Sequence, residues 1–336
     1  MSNQLFLHLG FGKTGTTSFQ ATCAASQEIL HANGIHYPIF EQEKQNNKKR
    51  KIVNHSIPIY SLFTSNPSNY HINKRWGIQD IEVLNSAYRE QLERALASSS
   101  KLIISGENIA HLSIKELESF CKLADSYNFV VNPFAVVRSP FDQFCSLTQQ
   151  IISGGIYRSF VSLGDLVPPQ VPDTGIQEIA NQINNIVKLS TIFDKNITFI
   201  PFLDACSHRY GIIGYLLETL IGLDPLVLDN IEQKRFNDSR SNLWIRVQNQ
   251  INKLEPIFAN GKLNPNHFKA AQTLSKAGDK FLFTEQEFEC FRDLVVEVED
   301  RFSALMLDKF VSKERKFSLP ISNSEILNIL VEMARD

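Results

Sequence analysis

FLHLGFGKTGTTSFQ, residues 6–20, joins an apolar run to a segment of helical spacing through glycines and a lysine. The apolar run Leu5 to Leu9 ends at Gly10, Gly12 and Lys13 follow, and Thr16, Thr17 and Ser18 stand at the head of a segment with helical spacing. Strand, glycine-bearing turn and helix, in that order, form the repeating unit of parallel α/β sheets. Glycine lets backbone approach an anion closely. The first amides of a helix lack intrahelical partners, and the helix dipole favours negative charge there. Lys13 adds a mobile point charge. Gly12, Lys13, Thr14, Gly15, Thr16, Thr17 and Ser18 are therefore the candidate anion-binding set. The common triphosphate motif, G-x-x-x-x-G-K-[ST], needs a glycine where this chain has Leu7, so a different phosphate-bearing ligand is implied.

Outward from this loop, short apolar runs alternate with longer amphipathic ones, the pattern of strands buried between crossover helices. It predicts strands at Leu5 to Leu9, Lys101 to Ser105, Asn132 to Val137 and Ile197 to Phe202, with a weaker one at Ile35 to Ile39. Helices are predicted at Thr17 to Ala32, Ile78 to Ala97, Ile114 to Tyr127, Pro140 to Ser153 and Ile176 to Phe193. The fold class is α/β, a mostly parallel central sheet flanked by helices, with ligands at the carboxyl ends of the strands. From about Gly211 helical patterns dominate: Gly211 to Leu220, Asn242 to Leu254, Glu285 to Leu307 and Ser322 to Ala334. No linker intervenes, so one domain is expected, with its α/β core to about residue 210 and a helical extension after it. Two stretches read as irregular: the polar, basic EQEKQNNKKRK at 41–51 and the proline-rich GDLVPPQVPDTG at 164–175.

Composition bounds the function classes. The 336 residues carry a net charge of −2, so no global field draws the chain to nucleic acid or acidic lipid. Five scattered cysteines, odd in number and never spaced as CxxC, argue against a disulfide framework or a structural zinc site. No leader segment is visible and no apolar run is long enough to span a bilayer, so the expected location is the cytoplasm.

A second anion site is read from FAVVRSPFDQFCSLTQQ, residues 134–150. Arg138 ends an apolar strand, Pro140 sits where a first helical residue is favoured, and Ser146 lies further along the same helix. A third cluster, EQKRFNDSRSNLW at 232–244, offers Lys234, Arg235, Asn237 and Ser239.

In these segments the chain resembles the sulfotransferases that use 3′-phosphoadenosine 5′-phosphosulfate (PAPS). HLGFGKTGTTSFQ resembles their 5′-phosphosulfate loop, and Arg138 with Ser146 matches their 3′-phosphate element. The segment around Arg235 resembles, less specifically, a late loop over the 3′-phosphate. Looser similarity, including GIHYP, QQIISGG and ITFIPF, runs from residue 5 to about 310. The resemblance implies a P-loop-like sulfotransferase fold, PAPS as donor, PAP as product and no metal. It also implies a carbohydrate or other small acceptor bearing a hydroxyl or amino group.

Sulfonyl transfer needs positive charge at the leaving phosphate, where Lys13 stands, and a general base for the acceptor proton. Glu107, directly after the strand KLIIS, is the first candidate for that base, since catalytic groups in open sheets gather at strand carboxyl ends. His55, in VNHSIPIY, is the second, because bacterial members show an N-H-S segment here. His111, four residues after Glu107, is the third, and His8 reads as core. Segments 41–75 and 154–175 are expected to shape the acceptor pocket, with Lys48 to Lys51 hinting at an anionic acceptor. A nucleotide-dependent kinase and a non-catalytic adenosine-bisphosphate-binding protein are the alternatives the residues leave open.

Overall fold

In the computed structural model of the chain, strands run Asn3–Leu9 (β1), Phe40–Glu43 (β2), Lys49–Ile52 (β3), Lys101–Gly106 (β4), Phe129–Val137 (β5) and Thr198–Pro201 (β6). The structure describes residues 2–43, 48–164, 175–236, 239–259, 261–276, 278–306, 315–322, 324, 326 and 327. One sheet has the order β4-β1-β5-β6 with every pair parallel, so β1 is an inner strand and its carboxyl end opens between those of β4 and β5. Residues 5 to 9 of β1 are all buried, as a strand covered on both faces requires.

Helices Thr16–Ala25 (α1) and Gln27–Ala32 (α2) follow β1 and are separated by Ser26, where one continuous helix was expected. Then come Ser56–Phe63 (α3), His71–Arg75 (α4), Ile81–Ser98 (α5), Ile114–Ser126 (α6), Pro140–Ser153 (α7) and Gly175–Phe193 (α8). Side chains start several of them. Asp80 accepts from the Val83 amide at α5, a Ser113/Glu116 capping box opens α6, and Ser139 precedes Pro140 at α7.

Contacts divide the chain into two compact units, residues 1–138 with 184–236, and residues 139–183 with 237–336. In the first, Phe6, Ile103, Phe134, Val136 and Ile200 from the sheet pack with Phe19 and Cys23 of α1. The same core takes Ile213, Leu216 and Leu217 from Gly211–Gly214 and the π-helical turn Tyr215–Leu220. The predicted helix at Gly211 to Leu220 thus packs in the α/β core and not in the helical extension that its place in the sequence suggests.

The second unit is organised by aromatic rings and one buried ion pair. Phe144, Phe160, Phe283 and Phe291 meet in tilted and edge-to-face pairs with centroids 4.9–6.0 Å apart. Arg246 meets Glu287 with side-chain exposures of only 2% and 0%. Glu287 also accepts from the Ser162 amide and closes the capping box of Thr284, so its charge is compensated from three directions. The helix Asn242–Leu254 agrees with its prediction, whereas Glu285 to Leu307 splits into Glu285–Glu289 and Arg292–Met306. Most of the predicted helix at Ser322 to Ala334, and of the irregular stretch 164–175, lies outside the described residues.

Two predictions need correcting. The stretch 41–51 holds most of β2 and β3, which pair antiparallel with Glu41 opposite Lys51 and Glu43 opposite Lys49. Its first half is acidic and its second half basic, so cross-strand charge pairing stabilises what polarity alone reads as a loop. Ile35 to Ile39 is not a strand: only His36 bridges to Leu102, because Pro38 has no amide to continue the ladder.

Candidate functional site

Between β1 and α1 the backbone bends through two left-handed residues, Lys13 at φ 67° and Gly15 at φ 81°. Thr14 is buried, and its hydroxyl donates to the Phe11 carbonyl at 2.7 Å, closing the turn on itself. Gly15 is the N-cap of α1 and supplies no side-chain cap, unlike the residues that start α5, α6 and α7. The first amides of α1 are thereby left for another acceptor. Thr16 is 2% exposed, and its Oγ1 has no hydrogen-bond partner among the described residues. A buried hydroxyl left in this state lowers its free energy by meeting a ligand's polar atom. Gly12 and Thr17 lie on the exposed side of the loop.

Glu107 sits beside this loop. It follows β4 directly, and a β-carbon added at Gly10 would meet Thr16 Oγ1 at 2.7 Å and Glu107 Cγ at 3.1 Å. Glycine at position 10 is what lets the three residues converge. Burial pushes the Glu107 carboxyl above the usual carboxylate range, and the Lys13 ammonium opposes that shift. Burial likewise lowers Lys13, with Glu107 pulling it up and Arg138 pushing it further down. A cation and a carboxylate thus tune one another at the carboxyl ends of adjacent strands, where active-site groups characteristically occur.

Arg138 follows β5. Its Nη1 donates to the Lys13 carbonyl at 3.2 Å and its guanidinium lies 4.1 Å from the Phe202 ring centre. It therefore braces the left-handed residue of the loop and adds positive charge beside it. The segment carrying Arg235 is strapped along α1: the Lys234 amide donates to Thr22 Oγ1 at 2.9 Å and the Phe236 amide to Ser18 Oγ at 3.0 Å. Arg235 itself is exposed. The structure places Lys13, Thr16, Ser18, Glu107, Arg138 and the Arg235 segment in one neighbourhood. Ser146 lies half-buried on α7 in the second unit, and Asn237 falls outside the described residues.

The histidines take other places. His55 is fully buried; its Nε2 donates to the Pro38 carbonyl at 2.7 Å and its Nδ1 accepts from the Ser105 amide at 3.0 Å. Burial lowers its pKa to about 4. Both ring nitrogens are therefore committed to backbone. His8 is core, as its strand position suggests: it stacks on Phe134 with centroids 5.0 Å apart, and burial lowers its pKa to about 3. His111 ends the 3₁₀ turn Asn108–His111 and is exposed.

Residues that the sequence does not single out hold the backbone on either side of Glu107 and the turn after it. Gln20 Nε2 donates to the Ser105 carbonyl at 3.0 Å, and the Asn108 amide donates to Ser56 Oγ at 2.9 Å. Lys188 Nζ, from α8, donates to the carbonyls of Ala110 and Leu112 at 2.5 and 2.8 Å. Gln20 and Ser56 stand inside quoted stretches and were legible in principle, whereas nothing local marks Lys188.

Away from the loop, the β2–β3 hairpin, α5 and residues 76–80 enclose a groove of about 1180 Å³. Within it Arg50 stacks 3.9 Å from the Trp76 ring centre and Lys49 pairs with Glu41 at 2.8 Å. Two of the cations between Lys48 and Lys51 thus have partners on their own surface. Among the described residues no three His, Cys, Asp or Glu side chains gather as metal ligands, and no helix is long and apolar enough to cross a membrane.

No protein-family model matches the chain, and no curated protein matches it in sequence. Among solved structures, it is similar to a sulfotransferase domain from the curacin biosynthetic pathway at 12% identity, over 88% of this chain and 98% of that one, with a TM-score of 0.35. Likeness at that level carries no functional weight, and the chain's own residues must supply the evidence.

Proposed function

We propose that the chain is a sulfotransferase that takes a sulfonyl group from PAPS, releases PAP and modifies a hydroxyl or amino group of a carbohydrate or other small acceptor. The observation that carries this reading is the convergence of Lys13, Glu107 and the unpartnered Thr16 hydroxyl around an α1 start with no side-chain cap.

PAPS, when bound, supplies an activated sulfur whose transfer breaks the bond to the bridging phosphate oxygen. The backbone amides at the start of α1, with Thr16 and Lys13, are suited to hold the 5′-phosphate and to stabilise the charge that grows on it. Arg138 and Arg235 are the cations that would meet the 3′-phosphate. Glu107, as carboxylate, accepts the acceptor's O–H or N–H proton as the new bond to sulfur forms. Each turnover then yields PAP, the sulfonated acceptor and one proton released by Glu107 to solvent. Five scattered cysteines with no CxxC spacing fit a reducing compartment, and the cytosol is the proposed location.

The test is incubation with PAPS carrying a radiolabelled sulfonate and a panel of sugars, phenols and amines. Label transferred to an acceptor together with PAP release supports the reading. A protein that binds PAP but moves no label to any acceptor or to water favours a non-catalytic binder.

A further inference from the structure

The segment Asn54-His55-Ser56 enters the sequence reading as a source of the base, yet its atoms are engaged on both sides of another residue. Upstream of Glu107, the Ser105 amide donates to His55 Nδ1 at 3.0 Å, and the His55 amide donates to the Ser105 carbonyl, also at 3.0 Å. Gln20 Nε2 meets the same carbonyl at 3.0 Å and Asn54 Oδ1 at 3.3 Å, and Asn54 Oδ1 in turn accepts from the Ser56 amide at 2.9 Å. Downstream, Ser56 Oγ accepts from the Asn108 amide at 2.9 Å, and the Asn108 side chain donates to Tyr70 Oη, also at 2.9 Å.

Between these anchors, Gly106 admits no side chain: an added β-carbon would lie 2.5 Å from the Ser56 amide nitrogen. The two backbones are in van der Waals contact and hydrogen-bonded on either side of the contact. His55, Ser56, Gly106 and Ser105 are all buried. His55 is locked as the Nε2-protonated tautomer, since its Nδ1 faces an N–H; a second ring proton would oppose the Ser105 amide.

We propose that Asn54, His55 and Ser56, joined by Gln20, form a clamp that fixes the backbone immediately before and after Glu107. They are positioning residues for its carboxylate. This rests on Glu107 being the base of the proposed reaction. The clamp works through neutral hydrogen bonds, so it contributes geometry and no proton transfer. A carboxylate held within a fraction of an ångström of the acceptor proton reacts far faster than one on a mobile turn.

The experiment compares Ser56→Ala, His55→Phe, His55→Asn and Glu107→Gln in sulfonyl transfer from PAPS, with PAP binding followed by calorimetry as an independent readout. The clamp predicts that Ser56→Ala lowers kcat by about tenfold or more while KM for PAPS and PAP affinity change by less than about twofold. His55→Phe behaves similarly, and His55→Asn, whose Oδ1 can replace Nδ1 as acceptor for the Ser105 amide, recovers part of the rate. Should His55→Phe fail to fold, Ser56→Ala decides alone. Wild-type kcat in Ser56→Ala overturns the clamp. Loss in His55→Asn as deep as in Glu107→Gln, with PAP binding intact, makes His55 a proton-transfer residue and also overturns it. Wild-type turnover in Glu107→Gln removes the base assignment instead, a failure of the underlying reading that these outcomes keep separate.

Discussion

Gly10 lies so close to Glu107 that a single carbon added at the glycine would sit 3.1 Å from the glutamate Cγ and 2.7 Å from Thr16 Oγ1. The anion loop and the acid at the end of β4 are thus one construction, with no room for a side chain between them. Gly10→Ala forces Thr16 and Glu107 apart. It is expected to weaken PAP binding and lower turnover, each by about tenfold or more, with the cooperative unfolding transition retained. Calorimetry and thermal melts of the purified variant check both halves.

Glu107→Gln removes the proton acceptor while keeping the shape of the side chain. Transfer is expected to be abolished and PAP affinity retained. In the wild type, burial raises the Glu107 pKa, so the active carboxylate form is lost as pH falls through a value above the usual carboxylate range. The acidic limb of the kcat/KM profile should therefore lie at higher pH than for an ordinary glutamate. A limb at the ordinary position, or the same limb in Glu107→Gln, contradicts this assignment.

Two buried histidines tie stability to pH. His8 and His55 have folded-state values of about 3 and about 4 against 6.5 for the free group, so the folded protein resists protons that the unfolded chain accepts. Their contribution is complete above pH 6.5 and is lost progressively as pH falls toward about 4 and then about 3. Denaturant unfolding at about pH 7.5, 6.5 and 5.5 should show stability dropping over the last interval, before most carboxylates titrate. Constant stability across that interval would mean that these rings are not held neutral.

Gly106→Ala tests the close approach of β4 to Ser56. The β-carbon would meet backbone atoms, which cannot rotate away, so the strand end must shift. A loss of about 2 kcal/mol is expected, in the range of overpacked buried sites. Urea denaturation gives the value directly, and an unchanged midpoint would show that the two backbones separate without cost.

The sheet was legible because β1, β4 and β5 are buried on both faces and carry continuous apolar runs between turn residues. The anion loop was legible because glycine, lysine and hydroxyl residues at a strand-to-helix turn have few other uses. The β2–β3 hairpin was hidden, since its stabilising feature is the pairing of an acidic strand with a basic one, visible only once the register is known. The single bridge at His36 follows from Pro38, whose missing amide is a local signal that the surrounding apolar run obscures. For the site, the sequence ranks Glu107 ahead of His55 as the base on position alone. Only coordinates separate a carboxyl facing Lys13 from a ring with both nitrogens engaged by backbone. Lys188 illustrates the limit: its role depends on α8 passing the carbonyls of Ala110 and Leu112, and no sequence spacing encodes that.

Which ligand the Lys13 loop holds is decided by calorimetric titration of the wild type and Lys13→Met with adenosine 3′,5′-bisphosphate and with ATP plus magnesium. The bisphosphate should bind without metal, at least about tenfold more weakly in Lys13→Met, and Mg-ATP should bind less tightly than the bisphosphate. A clear preference for Mg-ATP would contradict it.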